Sequence, residues 1–319
     1  MPYRESMARF LLLYNPLPNA ARERVLDRLY QRLKKDNVPY ISVPTHADLT
    51  ETKAQVKALQ QPIERVIVVG GDGTLHQAVN LFHHSKVVIG YIPAGTGNDF
   101  ARSWFAQSRR PRWFPNRNRE NTCERMITSA LYGEPMAIDL GCARVSTQAP
   151  RYFINSVGIG FDGELIAQQP LKKLWLPKLS YLLHALLTLF RYRGKAVLVS
   201  ADGMQIESCN DVPLFMLVVA NSRYYGAGMK IAPHAELNNG KLAYICIQEC
   251  RLATKLLAIS SIYSGRHVTK SMVTSGHLTQ LALGSENIAM QIDGEYLGRT
   301  PVEINVVPNA VLIAKECGY

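Results

Sequence analysis

Residues 68–76 read VVGGDGTLH. An apolar run ends in three glycines set around one carboxylate, and a threonine follows where a helix can begin. Glycines at this spacing mark a backbone that bends tightly or lets something approach closely. The run at 65–69 predicts a buried strand and residues 75–82 a helix. A turn from strand into helix presents backbone N–H groups and the positive end of the helix dipole, a setting for an anion. Asp72 carries the wrong sign to sit beside a phosphate unaided.

Outward from this stretch the first 140 residues alternate. FLLLY at 10–14 predicts a strand, and AARERVLDRLYQRLKK a helix with Val25, Leu26, Leu29 and Leu33 on one stripe. A strand at 40–43, a helix at 51–60, the strand at 65–69 with its helix at 75–82, a strand at 87–92 and a helix after Asn98 follow. That order predicts a doubly wound, Rossmann-like α/β domain whose parallel sheet binds ligands at the carboxyl ends of its strands. A second glycine loop, IPAGTGNDF at 92–100, lies at such an end. After residue 140 short β-rich runs dominate, the last two at 302–307 and 311–314, with hairpin signals at 201–203, 238–240 and 293–294. They predict an antiparallel β-sandwich interrupted by one helix near 178–192.

Neither loop is a dinucleotide fingerprint, because His76 and Phe100 stand where a third glycine belongs, and neither holds the Gly-Lys-Ser/Thr of a P-loop. Without that lysine, phosphate charge must be met by another cation. Asp72 and Asp99 then suit Mg²⁺, which takes one or two carboxylates with waters and substrate phosphates. Thr74, Thr96 and Asn98 would supply neutral hydrogen bonds. A Gly-Asp-Gly turn before a Thr cap explains one such loop; two at neighbouring strand ends favour phosphate.

GGDGT at 70–74, followed by PAGTGNDFAR at 93–102, resembles the catalytic domain shared by diacylglycerol kinases, sphingosine and ceramide kinases and bacterial lipid kinases. Asn15-Pro16, Thr45-His46, Asn155-x-x-Gly158-x-Gly160-Phe161-Asp162, Tyr225-Gly226-Ala227-Gly228-Met229, Pro233-x-Ala235 and Asp293-Gly294-Glu295 continue the resemblance in order. It implies an N-terminal α/β nucleotide-binding domain over 1–139, completed by 306–319, and a C-terminal lipid-binding β-sandwich over 140–305. It implies ATP and Mg as cofactors. Asn15, Thr45, Gly71, Asp72, Gly73, Thr74, Gly95, Thr96 and Asn98 would line the nucleotide site. Asp72, Asp99 and Asp162 would form a metal–water network, and Glu295 would be the general base. Two departures stand out. Asn238-Asn239-Gly240 replaces the usual Asp-Gly of a structural metal site, and Leu17-Pro18-Asn19-Ala20 follows the first motif where a glycine is usual.

The chain has 319 residues and a formal net charge of +11, which points to an acidic partner. Arginines and aromatics interleave at 102–119, and Lys172, Lys173, Lys178, Arg191, Arg193 and Lys195 flank the apolar helix. Both suit docking on an anionic membrane surface. Nucleic acid is not expected, since no RNP, KH or zinc-finger pattern accompanies the charge. Six scattered cysteines suggest reduced thiols and a cytoplasmic, peripherally membrane-associated protein. The longest apolar stretch, 179–190, falls short of the roughly 20 residues a span needs. A homodimer through an open β-edge is possible. The expected activity is phosphorylation of a lipid primary hydroxyl, diacylglycerol first. Another lipid acceptor, an NAD kinase and a non-catalytic lipid or nucleotide sensor are the alternatives.

Overall fold

A computed structural model describes residues 9–105, 119–145, 148–168, 177–206, 212–284 and 287–316. The chain divides into two compact units, Met1–Ile138 with Asn309–Tyr319, and Asp139–Pro308.

In the first unit β1 (Phe10–Tyr14), β2 (Tyr40–Pro44), β3 (Arg65–Gly70) and β4 (Val88–Pro93) lie parallel in the order β2-β1-β3-β4. The register sets Tyr14 beside Pro44 and Val69, and Gly70 beside Pro93, so the carboxyl ends of all four strands share one edge. Strands buried on both faces carry near-continuous apolar runs, and β3 is buried from Val66 to Gly70. Alternation then divides the side chains. Leu12, Ile67, Val69 and Ile92 form one core cluster with Leu29 and Leu33 of α1 (Ala20–Lys35) and with Ile127, Ala130 and Leu131 of α5 (Arg119–Tyr132). Their neighbours Leu11, Leu13, Val66 and Val68 are equally buried and point to the opposite face. On that face α2 (Leu49–Ala58) and α3 (Asp72–Phe82) complete the second layer.

The second unit is a β-sandwich with helical insertions. One sheet has the antiparallel order β12 (Val273–Leu278), β11 (Leu242–Gln248), β10 (Leu214–Ala220), β7 (Ser156–Gly160), β14 (Ala289–Ile292), β15 (Glu295–Arg299). The other contains β8 (Val199–Ala201), β13 (Gln280–Leu283) and the first half of β16 (Val302–Ala314). Val157, Ile159, Leu217 and Val219 from the first meet Val199, Leu281, Leu283 and Ile304 from the second in one core. Beyond the expected helix α7 (Pro177–Arg191), the unit holds α6 (Phe161–Ala167) and α8 (Leu252–Ser264). The two runs at 302–307 and 311–314 form a single strand through Pro308, and its Leu312 and Ile313 pair in parallel with Val88 and Ile89.

Cys123, Cys142 and Cys250 are free thiols, whereas Cys246 is disulfide-bonded, which corrects the expectation of reduced thiols at that position. No described helix is long and apolar enough to cross a membrane. Residues 106–118, most of the arginine-rich stretch, and Lys172 and Lys173 lie outside the described residues.

Gly90 of β4 lies against the α5 backbone, and a Cβ there would overlap the Ala130 carbonyl. Backbone cannot swing aside as a side chain can. Gly90→Ala is therefore expected to lower stability by about 1–3 kcal/mol, whereas Gly284→Ala, with open space around it, leaves the urea midpoint unchanged.

Candidate active site

The two glycine loops leave adjacent parallel strands and touch. Ala94 donates its N–H to the Gly70 carbonyl at 2.7 Å. A Cβ on Gly71 would come 3.1 Å from the Gly95 Cα, and one on Gly95 would overlap Gly71. Glycine is thus required at 95 by backbone against backbone, and at 71 any side chain would press on the same backbone.

Asp72 fastens this contact. Its Oδ2 accepts the N–H of Asp99 and its Oδ1 the N–H of Phe100, both at 3.0 Å. These are first-turn donors of α4 (Asp99–Phe105), so the carboxylate of one loop caps the helix of the other. Asn98 closes the second loop upon itself from a left-handed φ of 52°. Its Oδ1 accepts from Gly95 N at 3.0 Å, and its Nδ2 donates to Gly95 O at 2.8 Å. Its amide therefore shapes the loop backbone. Thr74 is buried over Gly70, where a Cβ would overlap its hydroxyl.

What remains open is the start of α3. Gly71 caps it without any side-chain hydrogen bond. Gly73 is exposed, and a Cβ there meets nothing within 4 Å. The protein itself does not require glycine at 73, so the open space above this first turn is room for a ligand. Thr96, exposed on the facing loop, is available to the same ligand. Asn15 and Thr45 lie at the same sheet edge. Asn15 Oδ1 accepts the Leu17 N–H at 2.9 Å, and Thr45 bonds the Tyr14 carbonyl through its N–H at 2.8 Å. The unusual Leu17–Ala20 stretch is explained locally, since Asn19 caps α1 by accepting from Ala21 and Arg22.

The site suits a hydrated cation. Asp99 is buried, with Oδ1 3.9 Å from Arg102 Nε. The nearby Tyr91 hydroxyl is buried with no hydrogen-bond partner among the described residues. Burial, then the negative charges of Asp72 and Asp99, push this hydroxyl well above its ordinary pKa. A carboxylate offers about four lone-pair sites, and Asp72 gives at least two of them to N–H groups. Among the described residues no three His, Cys, Asp or Glu side chains converge as a metal cage. An ion here would draw its other ligands from water and phosphate, as magnesium does.

Glu295 and Asp162 belong to the second unit. Glu295 is partly exposed on β15, and Arg151 holds its Oε2 at 2.6 Å. Asp293 and Gly294 both have positive φ, 47° and 89°, as a tight hairpin requires. The Asp293 carboxylate accepts three backbone N–H groups, from Ile154, Asn155 and Ser156, at 2.9–3.0 Å. Asp162 is 5% exposed. Its Oδ1 accepts from Gly163 N at 2.9 Å and its Oδ2 from Gln291 Nε2 at 3.2 Å. Desolvation pushes this carboxyl up to about 6 despite those bonds. Gly158 is glycine because a Cβ would overlap Asp162 Oδ2. At the Asn238-Asn239-Gly240 turn the buried Asp139 carboxylate accepts the Gly240 N–H directly, at 2.6 Å.

Three participants carried no sequence signal. Gln77 of α3 donates to the His46 carbonyl at 2.6 Å and accepts from the Thr52 hydroxyl at 2.8 Å, tying the β2 loop to the glycine-loop helix. Gln291 joins Asp162 to the hairpin by accepting from Gly294 N at 2.8 Å. Arg151 holds Glu295. Each is a lone polar residue whose partner is remote in sequence.

Two outcomes follow from this geometry. Gly73→Ala should leave thermal stability unchanged, since alanine favours helix and meets open space, yet weaken nucleotide binding about tenfold or more by calorimetry; equal affinity would contradict the cradle. For Asp162 the folded pKa, about 6, lies above the ordinary 3.8. Its protonation stabilises the folded state fully below about pH 4, and that contribution, about 3 kcal/mol, is lost as pH rises through about 6. Asp162→Asn should therefore flatten the dependence of the denaturation midpoint on pH over that window.

The diacylglycerol kinase catalytic domain model matches residues 9–142, and the YegS C-terminal NAD kinase β-sandwich-like domain model matches residues 155–315. A diacylglycerol kinase of Bacillus subtilis (strain 168) is 29% identical over 304 residues, 93% of each chain. One of Mycobacterium tuberculosis is 26% identical over 315 residues, 98% of this chain and 96% of that one. A crystal structure of a diacylglycerol kinase from Bacillus anthracis superposes with a TM-score of 0.64 at 16% identity, covering 97% of both chains, which shows the shared fold. The α/β first unit and the β-sandwich second unit thus have their counterparts in known domains: the chain belongs to the lipid kinases that join a diacylglycerol kinase catalytic domain to a YegS-type C-terminal domain.

Proposed function

We propose that this lipid kinase transfers the γ-phosphate of ATP to the primary hydroxyl of diacylglycerol, giving phosphatidic acid, at a membrane surface. The observation that carries the nucleotide half is the open first turn of α3, held against the second loop by Asp72. Backbone N–H groups of Gly73 and Thr74, with the Thr96 hydroxyl, bind phosphate oxygens in a setting formed before the ligand arrives. Such preorganised donors stabilise the charge that spreads over the transferred group. Asp72 and Asp99 would hold magnesium, in part through water, and the ion when bound supplies neutralising charge. The diacylglycerol half rests on the acceptors named for the bacterial relatives.

Glu295 takes the hydroxyl proton as the acceptor oxygen attacks. A carboxylate suits this when it is fixed yet reachable. Arg151 and the Asp293 hairpin fix it, and its partial exposure leaves it reachable. Asp162, with both oxygens engaged inside its own unit, acts on this hairpin through Gln291 and Gly294.

The test is labelled ATP offered with diacylglycerol, phosphatidylglycerol and sphingoid bases in mixed micelles, with magnesium or chelator. Diacylglycerol is expected to be labelled, and chelator to abolish labelling. Glu295→Gln should lower kcat about 10²–10⁴-fold with the KM for ATP unchanged. Wild-type turnover in Glu295→Gln would refute the base, and labelling of a different lipid would refute the acceptor.

A further inference from the structure

Helix α8 (Leu252–Ser264) is apolar almost all round, but the protein covers only one side of it. Lys255 and Ala258 are buried, and Leu252 and Ile262 pack partly against the core beside β10 and β11. The outer side exposes Leu257 (74%), Tyr263 (58%), Leu256 (42%) and Ile259 (40%). A helix without a polar face needs a second apolar medium. Its 13 residues span roughly 20 Å, short of the roughly 30 Å of a hydrocarbon core. It can lie on a bilayer and cannot cross one.

Charge identifies that medium. No Asp or Glu occurs between Cys250 and Gly284. Arg251 is exposed at the start of the helix and Arg266 just beyond its end, with Lys270 partly exposed. The Lys230 side chain lies beside the capping Gly265. The nearest preceding acid, Glu249, is paired with the buried Lys255 at 2.5 Å and accepts the Gly194 N–H at 2.6 Å. An apolar strip with cations at both ends complements an anionic lipid surface, where the strip enters the acyl boundary and the cations meet headgroups. The same charge opposes a second copy of the chain, because a twofold contact would set like charges together.

We propose that the outer face of α8, with Arg251, Arg266, Lys270 and Lys230, is the surface by which this kinase docks on anionic bilayers. The proposal deepens the lipid-kinase reading by assigning the element that brings the protein to its substrate's surface. It places no residue at the reacting atoms.

The experiment is sedimentation of the full chain with vesicles of phosphatidylcholine alone or mixed with phosphatidylglycerol, beside turnover of a short-chain diacylglycerol dissolved as monomer. The wild type should bind the mixed vesicles, and the neutral ones about tenfold less. Leu256→Ser with Leu257→Ser should lose about tenfold or more of that binding, and Arg266→Glu about fivefold or more. Both should keep short-chain turnover, which shows the fold intact. Leu198→Ser with Met204→Ser, also exposed but elsewhere on the unit, should bind as wild type. Wild-type vesicle binding by the α8 variants would overturn the proposal. So would a dimer in ultracentrifugation that the α8 variants abolish without any vesicle binding by the wild type. Absent short-chain turnover in a wild type that binds vesicles in the predicted pattern would count against the kinase reading and leave the docking surface standing.

Discussion

One carboxylate organises the first unit. Asp72 leaves the end of β3 and spends its two oxygens on the first N–H groups of the helix beyond the neighbouring strand. Everything near it follows from that clasp. The loops meet closely enough that only glycine fits at 95 and a side chain at 71 would be tight. The helix after the second loop begins against Asp72 of the first, and the first turn of α3, which has no side-chain cap, meets open space at Gly73. A charged acceptor with two backbone donors makes a stronger tie than a neutral turn, so the two loops are held against each other by the fold itself. The residue that looks miscast beside a phosphate is the one that ties the two glycine loops together.

The second unit uses the same device with other residues. Asp293 collects three backbone N–H groups and thereby fixes the hairpin that carries Glu295. Gln291 links that hairpin to the buried Asp162. Asp72, Asp139, Asp162 and Asp293 each accept backbone N–H groups. The burial of Asp162 explains the glycine at 158 beside it.

Much of the fold was legible in the sequence because its signals are local. Apolar strands, the stripe of α1 and the strand-to-helix glycines each speak for themselves, and motif order carried the family. The helix α8 was missed because its exposed side is apolar too, so it shows no amphipathic period. The strand through Pro308 read as two because proline normally interrupts a ladder. Within the site, Asp72 was legible as important but its partners were not. Nothing in spacing tells a metal-facing carboxylate from one bound to an N–H 27 positions away. That Asn98 has a left-handed backbone and closes a ring with Gly95 is likewise a tertiary fact that spacing does not carry. Gln77, Gln291 and Arg151 act only through partners the fold brings to them.

The most direct measurement is an amide-resolved NMR titration of the full chain with ATP and magnesium. The account predicts the largest shifts at the amides of residues 71–75 and 95–98, with those of Asp99 and Phe100 already in hydrogen-bonded positions in the free protein. Saturable nucleotide binding that leaves both glycine loops unmoved and perturbs amides elsewhere would contradict it.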